Sequence, residues 1–195
     1  MLTQNEKKVL KLIFSGLKDE LSINQIAKAC ALSPNGALKI LKKFEREGIM
    51  NYKTVANTKI YYLDFMNEKT KNILKLALIQ DSLDKKIKYR LEDLKPLKSH
   101  TKACILFGSY IKPGNRPNDL DILFILNKNQ FPELKKISKQ VYDTLPLKVH
   151  DALQTEEDFE NNLIKKDKVL LSALRNGIIL WGHDSIIELV EHATK

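Results

Sequence analysis

Two aspartates set into an apolar strand constrain this chain more than any other feature. The run Asn118-Asp119-Leu120-Asp121-Ile122-Leu123-Phe124-Ile125-Leu126 has the apolar density of a buried strand, yet it opens on Asp119 and Asp121. Aspartate suits strands poorly, and a buried, unpaired carboxylate is costly. At i and i+2 the two side chains share one face, so their charges lie close together and call for a compensating cation. A hard divalent ion such as Mg²⁺ meets that need, because it prefers carboxylate oxygen and is usually held by one or two carboxylates plus substrate phosphates. An earlier apolar run, Ala103-Cys104-Ile105-Leu106-Phe107, ends in Gly108-Ser109, and nine residues separate Ser109 from Asp119. Glycine lets the backbone approach a ligand closely, and N–H groups exposed after a strand can cradle phosphate. A Gly-Ser pair alone is an ordinary turn, and an Asp-x-Asp alone an ordinary solvated strand edge. In this order and spacing they point to metal and phosphate chemistry.

The rest of the 195 residues narrows the setting. The length suits one large or two small domains. No run of about 18 apolar residues occurs, which excludes a membrane span of the helical kind. The first residues do not read as a signal peptide, so a cytoplasmic protein is expected. Cys30 and Cys104 fall in apolar patterns without metal or disulfide spacing. The formal charge of +9 is uneven: residues 1–65 carry +5, residues 66–100 carry +4, and residues 101–195 are neutral. A basic half joined to a neutral half suggests a polyanion-binding module attached to something else, although lysine is also an ordinary surface residue.

The basic half has a regular pattern. Thr3-x-x-Glu6 is a capping box that opens a helix predicted over residues 4–17. Ser22 caps a short second helix, and Ser33-Pro34 opens a third, with Ala37, Leu38, Ile40, Leu41 and Phe44 inward and Gly48 as its stop. Ile49–Lys53 and Lys59–Leu63 read as a hairpin. This order and the string Leu21-Ser22-Ile23-x-x-Ile26-Ala27-x-x-x-x-Leu32-Ser33-x-x-x-Ala37-x-x-x-Leu41 resemble a winged helix-turn-helix domain over residues 1–65. The resemblance implies binding to double-stranded DNA, with the third helix in the major groove and the hairpin on the backbone or minor groove. The exposed candidates are Ser33, Asn35, Lys39, Lys42 and Lys43, with Lys53, Asn57 and Lys59 on the wing. Two-fold DNA sites make a homodimer the expected assembly. Such domains also serve as protein-interaction modules.

Residues 66–96 read as a basic helical linker, one long or two shorter helices, broken by Pro96. Residues 97–195 form the second domain. Its Gly108-Ser109, followed by Asp119-x-Asp121 in apolar strands, resembles the nucleotidyltransferase superfamily that includes DNA polymerase beta, and in particular its minimal domains. The fold class that follows is α+β, with a winged helix-turn-helix, a helical linker and a mixed-sheet nucleotidyltransferase-like domain. The resemblance implies that Asp119 and Asp121 hold Mg²⁺, with room for two ions, and that ATP or another NTP is the substrate. It also implies a third carboxylate on a later strand. Asp151, in Leu147–Leu153, is the best-placed candidate; His150 then points the other way and reads as structural. Gly108, Ser109 and Lys112 would contact phosphates. Lys112 and Pro113 depart from the Arg-Gly common in these domains, and lysine cannot repeat a bidentate clamp.

Two functions follow. One is an enzyme moving a nucleotidyl group, first of all AMP from ATP, to a protein or small-molecule hydroxyl. The other is a DNA-binding transcriptional regulator whose second domain senses nucleotide or is inactive. Minimal nucleotidyltransferases often act on a separate helical protein, which makes such a protein a third kind of partner.

Overall fold

The computed structural model describes residues 2–16, 19–112, 114 and 117–194. Leu17, the expected end of the first helix, and Pro113 lie outside the described residues. The chain divides into two compact units, the first ending at Ile79 and the second running Gln80–Ala193.

In the first unit, α1 (Gln4–Gly16), α2 (Ile23–Cys30) and α3 (Pro34–Arg46) precede an antiparallel hairpin of β1 (Met50–Val55) and β2 (Thr58–Leu63), and α4 (Glu68–Leu78) closes it. The predicted caps form. Thr3 N–H donates to Glu6 Oε2 at 2.7 Å and Glu6 N–H donates to Thr3 Oγ1 at 3.2 Å. Ser22 and Gln25 make a second capping box, and Ser33 Oγ accepts from Gly36 N–H at 3.1 Å. The stop of α3 is a paired bond set, with Gly48 N–H on Glu45 O and Ile49 N–H on Phe44 O, which satisfies two orphan carbonyls. Ala56 and Asn57 both have positive φ, as a two-residue turn matched to strand twist requires. Val9, Leu10, Phe14, Ile26, Leu41 and Phe44 are buried beneath the helices.

The second unit starts with α5 (Lys85–Leu94), capped by Asp84. The expected linker is therefore two shorter helices, α4 in the first unit and α5 in the second. Four strands follow, β3 (Ala103–Phe107), β4 (Asp119–Ile125), β5 (Lys148–Gln154) and β6 (Ile178–Trp181), in the order β5-β4-β3-β6. β3 is antiparallel to β4 and β6, while β4 and β5 run parallel. That parallel pair needs a crossover, supplied by α6 (Phe131–Tyr142). One sheet face, with Cys104, Leu106, Leu120, Ile122, Phe124 and Trp181, buries a core with Ile87, Leu94, Leu97 and Leu134. Trp181 packs on Phe124 and donates to Thr101 Oγ1 at 3.1 Å. On the other side lie α7 (Glu156–Ile164) and α8 (Lys168–Asn176), and α9 (His183–Thr194) ends the chain. Among the described residues no helix is long and apolar enough to cross a membrane.

Glu6 is a buried acid in the first unit, and Lys43 on α3 donates to it at 2.7 Å. Burial alone would raise its carboxyl, but bonds from Lys43 and Thr3 reverse this and hold it below the ordinary 4.5. The pairing therefore stabilises fully above pH 4.5 and is lost as pH falls through the lowered value. Glu6→Gln is expected to lower stability by about 2 kcal/mol at neutral pH, with the difference from wild type shrinking in acid, as read by urea unfolding at several pH values.

Candidate active site and DNA-facing surface

The site forms where β3 ends and β4 begins. Leu120, Ile122 and Phe124 commit one face of β4 to the core. Alternation then sends Asp119 and Asp121 to the opposite face. Their side chains are 40% and 26% exposed, so water and ligand reach them. In the antiparallel ladder Phe107 pairs with Asp121, which brings the next residue, Gly108, against that carboxylate. A Cβ built on Gly108 would lie 1.9 Å from Asp121 Oδ2, and its φ is +75°. Both the closeness and the left-handed backbone demand glycine. Ser109 Oγ donates to Asp119 Oδ1 at 3.4 Å. The turn continues to Lys112, which is exposed and whose N–H meets Ser109 O at 3.2 Å.

The structure does not bring Asp151 to the pair. In the parallel ladder Asp151 stands beside Ile122 and His150 beside Asp121. Side chains at paired positions share a face, so Asp151 goes with the core face. There Tyr142 OH donates to its Oδ2 at 3.1 Å. Burial first, and then the Asp151 charge, push the Tyr142 phenol well above its ordinary range, so it remains a donor. The residue that does join the pair is His150, expected to be structural. Its Nδ1 lies 3.7 Å from both Asp119 Oδ2 and Asp121 Oδ1. One ligand atom from each of the three residues falls within 4.8 Å of the others. Strict alternation along β5 was readable in the sequence; which alternate faces the pair depends on the β4–β5 register, which was not.

Farther along the same sheet face, Phe107, Leu123, Ala152, Gln154 and residues of α7 and α8 line a cavity of about 100 Å³. Ligand pockets run to about 300 Å³ or more, so this cavity is too small for a ligand of ordinary size.

On the first unit, Ser33, Asn35, Lys39 and Lys42 are exposed along α3, and Asn57 is exposed at the hairpin tip. Two predicted contacts are engaged within the unit. Lys43 is tied to Glu6, and Lys53 is bonded to Glu20. Lys59 sits over the Tyr52 ring, 3.5 Å from its centre. Lys39, Lys42 and Lys59 line one shallow depression with Lys43, Glu45 and Arg46. Arg46 was not among the sequence candidates; its place one turn after Lys42 on α3 is the signal that could have found it.

Residues 85–176 match the polymerase beta nucleotidyltransferase family, and residues 2–49 match a winged helix-turn-helix DNA-binding family. No curated protein matches the chain. Among solved structures, a mutant of S. aureus MepR is 15% identical with a TM-score of 0.35, over 74% of this chain and 81% of its own; a likeness of that extent carries no argument.

Gly108→Ala is expected to displace the Asp121 carboxylate and weaken divalent-ion binding at least about tenfold. Gly114 has nearly the same φ, +76°, but nothing within 4 Å of a built Cβ. Gly114→Ala should therefore carry the same backbone strain and keep its ion affinity, a contrast that isothermal titration with Mg²⁺ and Mn²⁺ resolves.

Proposed function

We propose that this chain, whose residues 85–176 match the polymerase beta nucleotidyltransferase family and whose residues 2–49 match a winged helix-turn-helix DNA-binding family, is a nucleotidyltransferase tethered to DNA. It moves a nucleotidyl group, in the first instance AMP from ATP, to a hydroxyl on a protein or small molecule. The observation that carries this reading is the closure of the bare Gly108 backbone onto Asp121, with Asp119 beside it and Ser109 on Asp119.

Asp119 and Asp121 would hold a divalent cation, which on binding supplies charge neutralisation for a triphosphate and polarises its phosphoryl oxygens. Gly108 leaves the strand end open for phosphate to approach the backbone. Ser109 fixes one oxygen of Asp119. Lys112, at the end of the same turn, adds a point charge near the phosphates. The acceptor hydroxyl oxygen bonds to the α-phosphorus, the bond from that phosphorus to the bridging β-oxygen breaks, and pyrophosphate leaves with the electron pair. The hydroxyl proton passes to solvent.

A second reading, a DNA-binding regulator whose nucleotidyltransferase domain senses nucleotide, is favoured by one observation. Asp151 accepts a hydrogen bond from Tyr142 and stands beside Ile122 rather than Asp121, so the carboxylate expected to complete the pair is absent from it. Transfer assays separate the two. With α-labelled ATP, then the other NTPs, and a panel of acceptors that includes small helical proteins, wild type should release pyrophosphate and label a product. Asp119→Ala/Asp121→Ala should reduce this by at least about 10³-fold, the scale of losing an electrostatic catalytic group. Nucleotide binding without turnover for any NTP would favour the regulator.

The DNA half is tested by salt. Lys39, Lys42, Arg46 and Lys59 share one depression. If they meet phosphates, the slope of log K against log salt is expected to be about −3.6 per subunit. A flat slope would remove DNA from the proposal.

A further inference from the structure

We propose that His150 is the third ligand of this site and that it makes the site select a first-row transition ion such as Mn²⁺ over Mg²⁺. The inference rests on the reading of Asp119 and Asp121 as cation-holding carboxylates. The two carboxylates divide their oxygens. Asp119 Oδ1 takes the Ser109 hydroxyl, and Asp121 Oδ2 lies under the Gly108 backbone. The oxygens left over, Asp119 Oδ2 and Asp121 Oδ1, are the two that face His150 Nδ1, each at 3.7 Å. With bonds of about 2.1 Å, ligand atoms around one ion stand about 3.0–3.4 Å apart, so a small closing movement brings all three onto a common centre. The β4–β5 ladder holds His150 directly beside Asp121. Its side chain is 46% exposed, which leaves room for water or phosphate oxygens to complete the shell.

The donor set decides the ion. Mg²⁺ favours all-oxygen shells and keeps its waters. Imidazole is a ligand for transition ions, whose affinities rise from Mn²⁺ through the series. Mn²⁺ is therefore the demanding probe, since it gains least from nitrogen.

The full chain is titrated with Mn²⁺, and the loss of the free-ion electron paramagnetic resonance signal is followed in competition with Mg²⁺. Pulsed measurements on the bound ion read directly coordinated nitrogen. Wild type is expected to show a nitrogen coupling and a Mn²⁺ preference that His150→Asp reduces by at least about tenfold, with the coupling lost. Asp121→Asn is expected to weaken all binding. Tight binding that Asp121→Asn weakens, with no nitrogen coupling and a Mn²⁺:Mg²⁺ ratio unmoved by His150→Asp, would overturn the imidazole ligand and leave the carboxylate site standing. Absence of any binding in wild type, with or without ATP, would overturn both.

Discussion

Two negative charges held side by side on one strand are the constraint around which the second unit is built. Leu120, Ile122 and Phe124 fasten β4 to the core, and that anchoring leaves Asp119 and Asp121 no other face to occupy. Repulsion between neighbouring carboxylates in a partly buried place works against folding unless another group offsets it. The surroundings do so only in part. Ser109 donates one hydrogen bond, and Gly108 contributes space and no charge. The arrangement concentrates charge where solvent reaches it, at a cost to folding.

Much of this was legible in the sequence because it rests on local rules. The Thr3–Glu6 box, the Ser22 and Ser33 caps and the stop at Gly48 depend on residues a few positions apart, and all form. The pair itself was visible because alternation within one strand needs no partner. What failed was non-local. Placing Asp151 with the pair required the register between β4 and β5, and a parallel register is set by a crossover helix and by packing, which leave no short-range signature. The register sets His150, and not Asp151, beside the pair for that reason alone.

The basic surface shows the same limit. Counting lysines on α3 and the hairpin suggests a uniform phosphate-binding face. The structure divides them. Lys43, though it lines the same depression as Lys39, Lys42, Arg46 and Lys59, serves the fold by bonding to buried Glu6, and Lys53 is occupied by Glu20. A cation's value to DNA depends on what it would give up, and an ion pair to a buried acid is costly to break.

The central claim is that the Asp119–Asp121 face binds a divalent ion and the phosphates of a nucleotide together. A crystal structure of the chain with Mn²⁺ and a non-hydrolysable ATP analogue, phased to show the anomalous signal of manganese, tests it most directly. The account predicts an anomalous peak among Asp119, Asp121 and His150, with phosphate density over Gly108 and Ser109. A peak and nucleotide elsewhere, or neither at saturating concentrations, would contradict it.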